Sequence, residues 1–172
     1  MPSGGNLAAI LTHKAALAEP PVPLVFQLLV VPVVDNTASP TNTKYPSWQE
    51  SANTPSLSPA KMVWYKLNYA PKEEDWTKWE CSPIFAPDEA FKRAPPAWIC
   101  VAELDILRDE GLAYAEKLRS FGVAVETKVY AGCPHPIMAM DGAFMGISIL
   151  YFTLADYSLY RVRVYHIVQD TD

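Results

Sequence analysis

The chain has 172 residues, 50% hydrophobic, 12% aromatic and only 19% charged, with a net charge of −5. This length and aromatic content fit one globular domain with a real core and exclude a disordered chain. The acidic balance argues against a phosphate-backbone partner, so no nucleic acid is expected. Three cysteines, Cys81, Cys100 and Cys133, are odd in number and lack Cys-x-x-Cys spacing. They point away from a disulfide framework or a zinc site and toward a reducing, cytoplasmic setting. No apolar run reaches the ~18 residues of a membrane span, and no charged-then-apolar leader is recognised.

Ser3-Gly4-Gly5-Asn6 runs into an alanine- and leucine-rich stretch that predicts a helix beginning near Gly5 and ended by Pro20-Pro21. Its apolar character implies burial against a sheet. Leu24 to Val31 lacks polar alternation apart from Gln27, as expected for a strand covered on both faces of a parallel sheet. From Asp35 to Pro96 the composition changes, with frequent prolines and with Trp48, Trp64, Trp76 and Trp79 scattered between them. Ordinary connectors have about 4–6 residues. The segment therefore reads as an inserted lid or cap with its own aromatic cluster. Within it, Ser58 as N-cap and Pro59 at the first helical position announce a helix.

Ala97 to Ala102 reads as a second buried strand. Asp109 is placed to cap a helix with Leu112, Ala115, Leu118 and Phe121 on one apolar face, and Glu110 to complement its dipole. Gly122 stands where a C-terminal glycine belongs. Val123 to Tyr130 alternates as a strand with one wetter face, near a sheet edge. Strand, helix and strand joined by short connections predict a right-handed parallel crossover. Gly142 to Tyr165 is β-branched and aromatic, where a domain of this kind ordinarily closes with a helix.

Three local features could carry chemistry. Ser3-Gly4-Gly5-Asn6-Leu7-Ala8-Ala9 is either a glycine-containing helix start or the end of a nucleophile elbow, where small residues close a strand-to-helix turn. Asp105 lies just past a buried strand, where α/β sheets put their sites, and neither capping nor dipole complementation requires it. His135 is held between Pro134 and Pro136 beyond the next strand, at the same end of the sheet. A lone histidine is often a packing residue. A histidine held by an aspartate is instead the general-base half of an acyl-transfer triad. His13 and His166 have no such context and read as structural or solvent-facing.

The order glycine-rich turn and helix, strand, long insertion, strand-Asp, helix, strand-His is that of an α/β-hydrolase after its nucleophile. The chain resembles the C-terminal half of a hormone-sensitive-lipase-type esterase, the α/β-hydrolase fold-3 group, over residues 4 to 141. Gly4-Gly5-Asn6-Leu7-Ala8 matches the end of the family's Gly-Asp-Ser-Ala-Gly-Gly-Asn elbow. Asp105-Ile106-Leu107-Arg108-Asp109-Glu110 is similar to its Asp-Pro-Leu-Arg-Asp-Glu, whose first aspartate is the triad acid. Gly132-Cys133-Pro134-His135 is similar to its Gly-Met-x-His, which carries the triad base.

The resemblance implies a truncated α/β-hydrolase with about three parallel strands, flanking helices and a cap insertion. Residues 1–34 and 97–141 would form the partial core, 35–96 the cap, and 142–172 an atypical tail. It places Pro2 at the nucleophile position, with Ser3 one residue late as the available hydroxyl, and it leaves the family's His-Gly-Gly oxyanion loop unmatched. The expected function is a fragment of a serine carboxylic-ester hydrolase for short-chain or aryl esters, inactive alone. Asp105 and His135 are the catalytic candidates, Trp64, Trp76 and Trp79 line the lid, and no metal or organic cofactor is implied. The alternative is a non-catalytic interaction module that pairs with another chain, or with a second copy of itself, through an exposed strand edge.

Overall fold

Proline suits the first position of a helix because its φ is already fixed and its missing N–H has no intrahelical role. Helix α1 accordingly starts at Pro2, ahead of the expected Gly5, and spans Pro2–Leu17 in the computed structural model, which describes residues 2–41 and 44–137. Gly5 lets this helix close onto the chain after the first strand: a Cβ there would lie 2.8 Å from Pro32 Cβ. Strand β1 (Gln27–Val30) follows. The proline-rich segment supplies α2 (Ser47–Glu50), α3 (Pro59–Tyr69) and α4 (Asp88–Lys92), with 3₁₀ turns at Glu73–Asp75 and Pro83–Phe85. Then come β2 (Ala97–Leu104), α5 (Arg108–Ser120) and β3 (Val125–Pro134).

The three strands form one parallel sheet in the order β1-β2-β3. In the central strand every residue from Ala97 to Ala102 is buried. Leu29, Ile99 and Val101 from the sheet pack with Phe91, Tyr114 and Leu118 in the main core. A second cluster joins Tyr45, Trp48, Leu57 and Met62 to Ile106 and Leu107 behind β2. Strand β1 departs from the expectation of a long strand covered on both faces. It starts only at Gln27, Val25 before it is 78% exposed, and Leu28 within it is 42% exposed. The reason is position: among the described residues β1 has β2 on one side and no neighbour on the other.

Several local signals hold. Ser58 caps α3 by accepting from the Lys61 N–H, and Gly122 takes φ +82° just after α5. The capping expected of Asp109 does not. The N-cap position of α5 is Leu107, and Asp109 lies inside the first turn. The turn is closed instead by Asp105, whose Oδ1 accepts the Leu107 N–H at 3.1 Å and whose carbonyl accepts that of Arg108 at 3.1 Å. That leaves Asp109 Oδ2 to receive the Ser47 N–H at 2.7 Å.

The tryptophans of the 35–96 segment do not share one cluster either. Trp48 is buried in the core behind β2, Trp79 leans on α1, and Trp64 is 61% exposed. Residues Met1–His135 form one compact unit; of the second, Pro136–Asp172, the described residues are 136 and 137. The atypical tail at 142–172 lies outside the described residues. Among the described residues no helix is long and apolar enough to cross a membrane.

Candidate active site

Parallel neighbours in register release their next residues side by side. Leu104 of β2 is paired with Pro134 of β3, so Asp105 and His135 leave the C-terminal edge together. The strand runs up to Pro134, further than the expected end at Tyr130, and His135 follows it directly. His135 Nδ1 donates to Asp105 Oδ2 at 2.7 Å. Both residues are buried, at 7% and 1% exposure. An ionised carboxylate can only accept, so this contact holds the ring proton on Nδ1 and leaves the Nε2 lone pair available. Nε2 is buried and has no hydrogen-bond partner among the described residues. A positioned base with its second nitrogen unused is the arrangement that removes a proton from an attacking oxygen.

The acid-bearing turn is braced from α2. Ser47 Oγ donates to the Ile106 carbonyl at 2.7 Å, and Arg108 Nη2 reaches Glu50 Oε2 at 2.6 Å. Sequence reasoning missed the buried titratable groups behind this turn. Glu110 is no surface complement to the helix dipole. It is fully buried, and its Oε1 accepts the Val34 N–H at 2.9 Å and the Asp35 N–H at 3.3 Å. Burial pushes its carboxyl up to about 8. Asp35 accepts from Lys44, Tyr45 and Thr37, and those hydrogen bonds hold its carboxyl below the usual range against the opposing effect of burial. Lys66, also buried, donates to the Ala38 carbonyl at 2.7 Å with its Nζ 4.2 Å from the Trp76 ring centre, and burial lowers its pKa. No periodicity or motif marks these three; the partners of Glu110 and Lys66 lie far along the chain, and those of Asp35 sit in an irregular loop.

The other candidates are placed as follows. Ser3 is exposed in the first turn of α1. Trp64 stacks edge-on with Tyr65, Trp76 Nε1 donates to the Ala70 carbonyl at 2.8 Å, and Trp79 meets the ring of His13. None of the three tryptophans has a hydrogen bond or ring contact with Asp105 or His135 among the described residues. His13 is structural: fully buried, it pairs with Tyr114 Oη at 2.8 Å. Among the described residues no group of three or more His, Cys, Asp or Glu side chains is arranged to hold a metal ion.

A parallel sheet with covering helices and an Asp–His pair at the carboxyl ends of adjacent strands defines the α/β-hydrolase class. The chain belongs to the alpha/beta hydrolase fold family, in its fold-3, hormone-sensitive-lipase-type branch, with the family profile matching residues 2–139. It is 53% identical over 140 residues to an AB hydrolase superfamily protein of Schizosaccharomyces pombe, covering 81% of this chain and 40% of the relative. It is 31% identical to an ethyl acetate hydrolase of Pseudomonas putida, covering 80% and 41% of the two chains. Among solved structures it is similar to a hyperthermophilic esterase from Pyrobaculum calidifontis (TM-score 0.80, 30% identity), covering 94% of this chain and 50% of that one. A thermostable esterase from Pseudomonas putida gives a TM-score of 0.68 at 38% identity, covering 77% and 40%. The chain thus spans about 40% of the length of the curated relatives it matches.

Proposed function

We propose that this chain carries the acid and base of a serine carboxylic-ester hydrolase acting on short-chain or aryl esters, and that it lacks turnover on its own. The observation that carries the reading is the 2.7 Å contact between His135 Nδ1 and Asp105 Oδ2, with Nε2 left unused. In a complete site a serine oxygen attacks the ester carbonyl while His135 Nε2 takes its proton. The same nitrogen then protonates the leaving alcohol, and Asp105 stabilises the imidazolium formed between the two steps. Pro2 has no hydroxyl to offer at the position aligned with the family's serine. In this reading residues 1–34 and 97–141 are the partial hydrolase core, and 35–96 are its lid, with Trp64, Trp76 and Trp79 toward the substrate. The setting is cytoplasmic, consistent with three unpaired, buried cysteines.

The test replaces the matching segment of the P. putida ethyl acetate hydrolase with residues 4–137 of this chain. The chimera is expected to hydrolyse p-nitrophenyl acetate and butyrate, and His135→Ala to lower the rate at least about a thousandfold. A folded chimera whose hydrolysis does not depend on His135 refutes the reading. The isolated chain is expected to do no better than free imidazole; saturable hydrolysis abolished by Ser3→Ala would refute its inactivity and make Ser3 the nucleophile.

A second reading is favoured by β1. The Gln27 and Val31 N–H groups both donate to the β2 side, so by alternation that of Leu28 faces the open edge, beside exposed Val25 and Leu28 side chains. Such an edge pairs readily with another strand, here that of a second copy. Sedimentation is expected to show concentration-dependent association that Leu28→Lys abolishes; a monomer at every concentration counts against it.

A further inference from the structure

The two strands that deliver the acid and the base do not match residue for residue. Ala102 pairs with Tyr130 and Leu104 with Pro134, so one β2 residue, Glu103, faces three on β3, namely Ala131, Gly132 and Cys133. The two extra residues form a bulge whose N–H groups the β2 backbone cannot all receive. Gly132 lies in its middle at φ +67°, a conformation that favours glycine. Its N–H donates to Glu103 Oε2 at 2.6 Å. Glu103 is itself held, since its carbonyl accepts from Arg108 Nη1 at 3.0 Å, and the same guanidinium grips Asp109 Oδ1 and Glu50 Oε2. Bulges bend the strand that carries them and re-aim the side chains beyond. Beyond this one come Pro134, the last residue of β3, and then His135.

We propose that Glu103 is a positioning residue: its carboxylate pins the β3 bulge at Gly132 and thereby swings the strand end so that His135 meets Asp105. The inference rests on the Asp105–His135 reading and deepens it. Without the carboxylate, a glycine with an unpaired N–H lies three residues before the base, and the bulge has several paths open to it. A carboxylate-to-amide hydrogen bond is among the stronger kinds, and it selects one. Glu103 is exposed, belongs to neither the main core nor the Trp48 cluster and makes no hydrogen bond to Nε2, so its removal need not unfold the sheet.

The test uses the isotopically labelled 172-residue chain and two NMR readouts: hydrogen exchange of the Gly132 amide, and the His135 Nδ1–H resonance with its exchange rate. In Glu103→Ala the Gly132 amide is expected to exchange about tenfold faster or more, and the Nδ1–H resonance to broaden or vanish while core amides stay in place. Glu103→Gln, which keeps an acceptor oxygen, restores both. Glu103→Thr, too short to reach Gly132 and well suited to a strand, repeats the experiment should the alanine variant lose its fold. An unchanged Gly132 amide overturns the pin itself. Faster Gly132 exchange with an unchanged Nδ1–H resonance overturns the positioning role alone. An Nδ1–H resonance that is missing from the parent chain, or that survives Asp105→Ala, overturns the Asp–His reading and the positioning role with it.

Discussion

Two buried groups tilt the stability of this fold in opposite directions with pH. Glu110 is fully buried, and burial pushes its carboxyl from 4.5 up to about 8. His13 is equally buried, and burial lowers its imidazole from 6.5 to about 4. As pH rises from 4.5 the unfolded chain ionises at Glu110 first while the folded chain keeps its proton. Stability then falls by about 1.4 kcal/mol per pH unit until pH 8. His13 acts in the other sense: its contribution is complete above 6.5 and is lost at the same slope as pH falls toward 4. Between 4.5 and 6.5 the two slopes cancel. From 6.5 to 8 the Glu110 slope stands alone and amounts to about 2 kcal/mol.

Urea unfolding followed by tryptophan fluorescence should therefore give equal midpoints at pH 5 and 6.5 and one lower by about 1 M at pH 8. Glu110→Gln removes the alkaline fall and exposes a rise of about 2 kcal/mol from pH 5 to 6.5, where His13 is no longer opposed. His13→Gln makes the decline begin at pH 5. A parent midpoint that stays level from 6.5 to 8, or the same fall in Glu110→Gln, refutes the assignment of that slope to Glu110.

The neighbouring glycines of α1 should respond with opposite signs. A Cβ on Gly5 meets Pro32 at 2.8 Å, whereas one on Gly4 meets nothing within 4 Å. Gly5→Ala is expected to lose about 1–3 kcal/mol from overpacking, and Gly4→Ala to gain about 0.5–1 kcal/mol in helix propensity. Equal effects on the urea midpoint would refute the packing of α1 on the segment after β1. Trp48 and Trp64 should separate core from surface in the same assay. Trp48→Ala, at 2% exposure, is expected to lose about 3–5 kcal/mol. Trp64→Ala, at 61% exposure, is expected to stay within about 0.5 kcal/mol of the parent.

The parallel sheet was legible because its signals are local. An unbroken apolar run from Ala97, a helix with a clean face ending at Gly122 and an alternating strand after it leave little freedom in how they connect. The features that misled share one cause. Leu24 to Val31 is apolar enough for a buried strand, but exposure depends on what lies beside it, and β1 is at the edge of the described sheet. Asp109 has the chemistry of a cap, yet Asp105 closes that turn from two residues before Leu107, and this frees Asp109 to bind Ser47, far earlier in the chain. The tryptophans between 35 and 96 are as hydrophobic as a shared cluster requires, but Trp79 is drawn to α1 and Trp64 to the surface, away from Trp48 and Trp76, which flank Lys66.

The site divides along the same line. Asp105 and His135 could be found from sequence because one topological rule places both: consecutive parallel strands discharge their next residues at the same edge. Glu103 and Glu110 could not, although they stand two residues before and five after Asp105. Each has the ordinary look of a charged residue at the start of a helix or the end of a strand. Glu110 is buried because the chain after β1 brings its backbone N–H groups to it, and Glu103 is engaged because β3 carries two residues more than β2 at that point. Neither fact is written in the residues around them. The pairing of Asp105 with His135, the acid and base we propose, is thus a property of the motif, whereas the proposed aiming of His135 rests on a mismatch between strands that only the folded register reveals.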